Sequence, residues 1–392
     1  FIADGSAARQ RNATYAPSAL VDRTDAAWRE PGPLMPFILS LSGALIASPL
    51  AYAACALTKR SGVVDAPDGQ RKQQAAPVPR LGGMGIVFAI AIVFALAAVG
   101  YEWVPGMAES DWLPGDFDFI LVALAIASML CLIGAWDDIF GMTAKVKLAL
   151  VGLICIAAPF LGNAVPALDT PFGSISLPVV TLAGSALWLI VFTNAANFMD
   201  GSNGLSIGSL GIMFAGLGSA QAVVFAEAFP PGLAVIIAAI AGFLVHNMKG
   251  TLYAGDCGSL GAGGLFGLLA VYHVSASMDG LRVALLGLTL SLPILVDVLL
   301  TLAWRSLKGR NLMQAHTDHA YQRLVARGWR HIAVAALWWG MTLLCAVAGV
   351  LALFSPVSTG DPADAFPVQQ LVALIALGAA GSGLWLWERR RA

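Results

Sequence analysis

Five short polar segments carry the side chains that could do chemistry, and each lies between long apolar runs. The central segment is 193–205, TNAANFMDGSNGL. Four oxygen-bearing side chains recur there at every third position and would lie along one side of a helix, with glycines loosening the turn: Asn194, Asn197, Asp200 and Asn203. Such a cluster suits a hard cation or an anionic ligand. A polar loop at the end of a membrane helix is the plainer alternative.

A second segment, 134–147, GAWDDIFGMTAKVK, contains two adjacent carboxylates. Asp137 and Asp138 repel each other at a membrane boundary and need a cation, a basic neighbour or a proton to stay there. Both are therefore candidates for a base, a nucleophile or a metal ligand. The alternative is an exposed acidic turn paired with Lys145 and Lys147.

A third segment, 253–264, YAGDCGSLGAGG, places Asp256 at the start of a glycine-rich run that leads into a helix. A carboxylate beside backbone amides and a helix N-terminus suits a phosphate held by a metal ion. Helix capping by Asp256 is the alternative.

The remaining two segments are basic. In segment 65–83, DAPDGQRKQQAAPVPRLGG, phosphate could be bound by Arg71, Lys72 and Arg80, although an ordinary basic loop is the alternative. Segment 309–328 is GRNLMQAHTDHAYQRLVARG.

In this last segment, His316 and His319 are expected one helical turn apart, flanked by Arg310 and Arg323. Two histidines make a poor zinc site, so contacts to an anionic substrate are favoured over an ordinary basic loop helix. Asp297 is a further candidate because an ionisable group inside a membrane span is costly, and pairing with Arg305 is its structural alternative.

The elements that position these segments are membrane helices. Apolar residues make up 58% of the chain and charged residues 11%, which predicts an all-α polytopic membrane protein. Apolar runs of roughly 20 residues match a helix that crosses about 30 Å of hydrocarbon. The predicted spans are 34–58, 82–104, 117–136, 144–163, 177–195, 204–226, 231–248, 257–276, 281–303, 331–354 and 367–387.

Two domain assignments follow from these patterns. Residues 34–392 are expected to form a single transmembrane domain. Residues 1–33 are a polar extension, either disordered or an upstream addition, and are expected to be neither a secretion signal nor a span. The five cysteines have no ligand or disulfide spacing and are interpreted as buried packing residues.

Charge asymmetry predicts the orientation. Alternate loops and the C-terminal tail hold 17 of the 22 lysines and arginines, while the opposite loops hold only Arg282 and the other four lie in residues 1–33. Because basic loops are retained in the cytoplasm, the N-terminus is expected outside and the C-terminus inside. All five polar segments then face the cytoplasm.

The order and spacing of the segments resemble one family. From residue 65 to residue 330 the chain is similar to the polyprenyl-phosphate N-acetylhexosamine-1-phosphate transferases, of the glycosyltransferase family 4 type. That family includes enzymes that initiate O-antigen synthesis and the phospho-MurNAc-pentapeptide translocase of peptidoglycan synthesis. The matching motifs are the loop with Asp65 and Arg80, the aspartate pair, the NxxNxxDGxDG motif, the glycine-rich run after Asp256 and the last-loop histidines.

The resemblance implies roles for individual residues. Asp137 and Asp138 would be catalytic, the first as base or nucleophile. Mg²⁺, with Mn²⁺ as a substitute, would be held by Asp256 with Asn197 and Asp200. Substrate contacts would come from Arg71, Lys72, Arg80, Lys145, Asn194, Asn203, His316, His319 and Arg323.

The implied reaction moves a sugar-1-phosphate from a UDP-sugar to undecaprenyl phosphate and releases UMP, in a bacterial inner membrane with the active site facing the cytoplasm. A homodimer is compatible with it, and no nucleic acid is involved. Asn203 replaces the second aspartate of the family's DGxDG, and the last loop reads HTDHAYQRL without a triple histidine. These departures favour the O-antigen-initiating branch. The alternative function is a transporter or flippase with a cytoplasmic-facing polar site, against which the absence of internal repeats argues.

Overall fold

The computed structural model describes residues 34–66, 76–103, 116–170, 172–225, 229–277, 279–354 and 367–390. Within these ranges the chain forms a bundle of twelve α-helices. They are α1 Leu34–Thr58, α2 Gly82–Trp103, α3 Asp116–Phe140, α4 Ala144–Ala157, α5 Pro178–Phe198, α6 Leu205–Phe225, α7 Pro231–Asn247, α8 Gly255–Ala276, α9 Gly280–Leu307, α10 Ala320–Ala326, α11 His331–Leu353 and α12 Val368–Arg390.

The all-α polytopic architecture is confirmed. Every predicted span corresponds to one of the long apolar helices, and α10 is a short additional helix in the last loop. Within the described residues, ten helices are long and apolar enough to cross a membrane, and α7 is a shorter apolar helix of 17 residues. About 17 residues is the lower end of the length that spans a bilayer.

Two expectations about local structure were wrong. Helix α5 ends at Phe198, so Asn194 and Asn197 share a helix while Asp200 and Asn203 lie in the turn that follows. The turn ends at Gly204 with φ of +77°, a conformation that a glycine adopts without strain. The two histidines also do not share a helical turn, because α10 begins only at Ala320.

Helix α8 lies at the centre of the bundle and packs against α2, α3, α5, α6 and α9. Glycines let two neighbours approach it closely. A Cβ at Gly134 of α3 would overlap the backbone of Asp256, and a Cβ at Gly83 of α2 would overlap the backbone of Gly258. The position of the first turn of α8 is therefore fixed by direct backbone contact with α2 and α3.

Short antiparallel strand pairs complete the described structure at the two ends of the bundle. Strands β1 Val64–Asp65 and β2 Val78–Pro79 pair in the connection between α1 and α2. Strands β3 Leu168–Thr170 and β4 Gly173–Ile175 form the connection between α4 and α5. The backbone N–H of Tyr253 donates to Pro79 O at 2.8 Å, which places β2 beside the chain that enters α8.

Candidate active site

A lysine at the start of α4 joins two aspartates from different helices. The turn between α3 and α4 passes through Gly141, and Thr143 caps α4 by accepting the N–H of Val146 at 3.4 Å. Lys147 lies one turn further along, where its Nζ is 3.0 Å from Asp137 Oδ2 and forms an ion pair with Asp256. One ammonium group is thus shared between the end of α3 and the start of α8.

Asp256 is also held by α5. The Asn197 side-chain amide donates to Asp256 Oδ1 at 2.8 Å and to Ser259 Oγ at 2.8 Å. Asp256 does not cap α8, because the N-cap residue of this helix is Ala254 and no side chain caps it. The carboxylate instead points to side chains of neighbouring helices.

The neighbouring aspartates of α3 face different partners. Asp138 is buried, and its Oδ2 accepts the backbone N–H of Cys257 at 3.1 Å. Arg80 lies beside it, with Nε 3.7 Å from Asp138 Oδ1, and also reaches Asp65 Oδ1 at 3.8 Å. Asp138 therefore anchors α8 and Arg80, whereas Asp137 is directed towards Lys147.

The turn 199–204 brings a fourth carboxyl group, that of Asp200, close to Asp138 and Asp256. Desolvation raises the pKa of Asp200 well above its usual range, and the nearby carboxylates of Asp256 and Asp138 raise it further. We call Asp137, Asp138, Asp200 and Asp256 the acidic cluster. It holds four carboxyl groups beside two basic side chains, Lys147 and Arg80.

Side chains from later in the chain fix this turn in place. Tyr321 Oη donates to Phe198 O at 3.0 Å, and Trp339 Nε1 donates to Gly204 O at 2.8 Å. Ser202 Oγ lies 2.9 Å from His331 Nδ1. The central polar segment thus depends on α10 and α11 for its position.

The last-loop histidines form a second group next to Phe198. The rings of His316 and His319 are 5.0 Å apart, and buried His319 also stacks with Tyr321 at 5.9 Å and with Phe198 at 6.2 Å. Desolvation, together with His319 and Arg305, lowers the pKa of His316 to about 4. His316 is therefore neutral at pH 7.

Asp297 positions this group from within α9. Its Oδ1 accepts the N–H of Ala320 at 2.8 Å, its Oδ2 accepts the N–H of Tyr321 at 3.3 Å, and its Oδ1 lies 3.5 Å from His319 Nδ1. Arg305, the partner considered from the sequence, instead pairs with Asp318. Asp297 thus caps α10 and faces the histidine.

Several predicted site residues lie elsewhere. Arg323 pairs with Glu388 of α12, the Asn194 amide donates to Ile190 O at 2.8 Å, and Lys145 is exposed at the start of α4. Asn203 is half-buried beside Gly250. Their substrate contacts stay predictions, and Arg71 and Lys72 lie outside the described residues.

A family of known proteins matches the part of the chain that holds this site. The model of the family described as glycosyl transferase family 4 matches residues 120–274, a range that includes the whole acidic cluster and Lys147. Over these residues the chain is similar to glycosyl transferase family 4. The predicted family is thereby confirmed.

The proteins similar to this chain have two kinds of name. A phospho-N-acetylmuramoyl-pentapeptide-transferase of Synechococcus sp. is 28% identical over 79% of this chain and 89% of its own length. A decaprenyl-phosphate N-acetylglucosaminephosphotransferase of Mycobacterium tuberculosis is 28% identical over 77% of this chain and 79% of its own length. A probable undecaprenyl-phosphate N-acetylglucosaminyl 1-phosphate transferase of Bacillus subtilis is 25% identical over 75% of this chain and 78% of its own length. Similarity to both kinds leaves the favoured O-antigen branch a prediction.

Two residues of the candidate site were missed from the sequence. Lys147 was considered only as a partner in an exposed acidic turn, and Ser259 was not considered at all. The available signal was Thr143, whose capping side chain predicts where α4 begins and hence which lysine faces α3.

Oxygen-bearing side chains dominate the candidate site. Among the residues that the structure describes, no group of three or more His, Cys, Asp or Glu side chains could hold a metal ion. Asp256 supplies one carboxylate, and the Asn197 side-chain amide lies directly beside it. That donor set fits Mg²⁺, which typically takes one or two carboxylates and completes its shell with water and substrate phosphates.

Proposed function

We propose that this protein transfers an N-acetylhexosamine-type sugar-1-phosphate from a UDP-sugar to undecaprenyl phosphate and releases UMP. The observation that carries the proposal is the junction of Asp137, Lys147 and Asp256, which joins carboxylates of α3 and α8 through one ammonium. The relatives named as polyprenyl-phosphate phosphotransferases support the same reaction class.

Phosphoryl transfer between two anions requires charge neutralisation more than covalent chemistry. Asp137 is the base or the nucleophile. As a base it takes the proton of the lipid phosphate, whose oxygen attacks the sugar-bearing phosphorus and displaces UMP. As a nucleophile its carboxylate oxygen displaces UMP first, and the lipid phosphate then displaces the carboxylate.

Mg²⁺ completes the proposed site, with Asp256 as its principal ligand and Asn197 and Asp200 nearby. When bound, it would neutralise phosphate charge and polarise the phosphorus under attack. Lys147 holds Asp256 and Asp137 together until phosphate groups arrive. Asn197 orients the Asp256 carboxylate through its hydrogen bond of 2.8 Å.

The basic groups around the acidic cluster bind the substrate anions in this proposal. Arg80 borders Asp138, buried His319 stacks on Phe198, and neutral His316 packs against His319. The retention of basic loops in the cytoplasm supports a multi-pass protein whose site faces the cytoplasm.

The proposed sugar is an N-acetylhexosamine of the O-antigen-initiating branch rather than a muramyl-pentapeptide. Asn203, in place of an aspartate, and the loop sequence HTDHAYQRL support this choice. An amide at Asn203 can donate and accept hydrogen bonds to uracil or a hydroxyl group.

Purified protein in detergent, incubated with Mg²⁺, undecaprenyl phosphate and a panel of UDP-N-acetylhexosamines, tests the reaction. The expected result is UMP release with one sugar, abolished by EDTA, and a fall of on the order of a hundredfold in Asp137→Asn. Asp169→Asn, an exposed aspartate of β3, is the matched control. Near wild-type UMP release by folded Asp137→Asn contradicts the proposal.

The same protein separates the two roles of Asp137. Without lipid phosphate, a nucleophile gives one UMP per enzyme and a base gives none. The alternative of a transporter is tested with sealed vesicles and radiolabelled UDP-sugar: label in the lipid extract means transfer, and label held only in the lumen means transport.

A further inference from the structure

The end of α12 contacts the last loop through two consecutive charged residues. Glu388 is fully buried and forms ion pairs with Arg323, and with Arg327 at 3.2 Å. Arg327 Nη2 also donates to Glu388 O at 3.1 Å. A buried carboxylate between two arginines fixes the relative position of α12 and the segment around α10, because separating them leaves a buried charge unpaired.

Arg389 extends this contact to the loop itself. Its Nη2 donates to the backbone carbonyl of Asp318 at 2.6 Å. Its guanidinium carbon lies 3.9 Å above the ring of Trp304 and 4.4 Å from that of Trp385. Nε and Nη1 of Arg389 are buried without a hydrogen-bond partner, and the two aromatic rings supply cation–π contacts to the guanidinium.

The loop residue that Arg389 holds lies between the two histidines. Asp318 pairs through its side chain with Arg305, and at 3.4 Å with Arg310. Its backbone N–H donates to His316 Nδ1 at 3.3 Å. A displacement of Asp318 would therefore carry His316 and His319 with it.

We infer that Glu388 and Arg389 form a C-terminal latch that positions the last loop for UDP-sugar binding; the inference rests on the proposed function. The latch residues touch neither the acidic cluster nor its lysine, and they lie outside the range that the family model matches. They are positioning residues. Arg323, predicted from the sequence to bind phosphate, belongs to the latch contact through Glu388.

Two adjacent arginines of α12 give a matched test. Arg389→Gln removes the contact with Asp318, while Arg390→Gln removes the same charge from an exposed neighbour. Hydrogen–deuterium exchange of peptides covering 309–319 should rise in Arg389→Gln only. The KM for the UDP-sugar should rise on the order of tenfold in that variant, with kcat changed less than about threefold.

A second pair of variants, at Glu388, distinguishes loss of the latch from misfolding. Glu388→Gln should reproduce the exchange and KM changes, and Glu388→Asp, which keeps the charge, should restore most of the KM. Unchanged exchange in Arg389→Gln overturns the latch. Faster exchange with an unchanged KM overturns its role in substrate binding. Absence of transfer by the wild-type protein contradicts the proposed function and the role of the latch in substrate binding. The hydrogen–deuterium exchange comparison still decides whether α12 holds the loop.

Discussion

The acidic cluster and the last loop are built in opposite ways. The acidic cluster rests on helices in backbone contact, at Gly134 against α8 and Gly83 against Gly258, and carries four carboxylates beside two basic side chains. The last loop is held by side-chain ion pairs, in which Asp318 and Glu388 face arginines on several elements. The first region is fixed by backbone contact and holds more carboxyl groups than basic side chains. The second is fixed by ion pairs and holds more arginines than carboxylates. In the proposed function, the first region would hold the cation and the second would contact the substrate anion.

The largest effect on activity should come from a substitution in the acidic cluster. Asp256→Asn removes the charge that Lys147 and Asn197 hold in place. We expect kcat for UMP release to fall on the order of a hundredfold or more, because charge stabilisation at the reacting phosphate is lost. Steady-state assays on folded protein, with the Mg²⁺ concentration varied, measure the loss. A fall restricted to KM would contradict the assignment of Asp256 to the reacting centre.

The next effect distinguishes two lysines of one helix. Lys147→Ala leaves Asp137 and Asp256 without their shared ammonium, whereas Lys145 is exposed at the start of α4. We expect Lys147→Ala to lower kcat/KM by roughly thirtyfold and Lys145→Ala to have a much smaller effect. Equal losses in parallel assays would support the sequence prediction for Lys145 over the geometry.

The backbone contact that positions the acidic cluster can be disrupted by a substitution that changes no charged residue. A Cβ in Gly134→Ala would overlap the backbone of Asp256, and nothing lies within 4 Å of a Cβ built at Gly152 of α4. We expect Gly134→Ala to destabilise the protein by about 1–3 kcal/mol and Gly152→Ala to leave it nearly unchanged. Thermal unfolding followed by tryptophan fluorescence measures both. A Gly134→Ala variant as stable as wild type would show that α3 and α8 can separate.

The smallest effect concerns the last loop and pH. Since the pKa of His316 is lowered to about 4, the folded protein keeps this histidine neutral while the unfolded chain binds a proton near pH 6.5. Its contribution to stability is complete above pH 6.5, is lost as the pH falls towards 4, and is constant below that. At pH 5 the loss is about 1 kcal/mol after discounting for solvent contact.

Unfolding curves at pH 7 and pH 5 test this expectation. The melting temperature of wild type should fall by a few degrees more than that of His316→Asn over this interval. The same acid sensitivity in both proteins would mean that His316 is not the group that titrates.

The bundle and the acidic cluster were largely predictable from the sequence, and the latch was not. Apolar runs bounded by glycine, proline and charge fix where helices begin and end, and all four clustered aspartates were identified from local motifs. The choice between Lys145 and Lys147 needed the helix register, because positions two apart on a helix point to different sides. Glu388 follows the predicted end of the last span at residue 387 and precedes the arginines of the tail. Its partner Arg323 is 65 residues away, and no local pattern links them.

Helix α8 also bears on how the protein is made. It is one of the two least apolar of the ten candidate spans, yet nearly all of its membrane segment is buried by other helices. A helix rich in glycine that begins with an aspartate inserts poorly into lipid alone. Four of its five packing neighbours, α2, α3, α5 and α6, precede it in the chain and are synthesised first. Because these helices are synthesised first, α8 can pack against them when it enters the bilayer. Its insertion therefore depends on the earlier helices having assembled rather than on its own hydrophobicity.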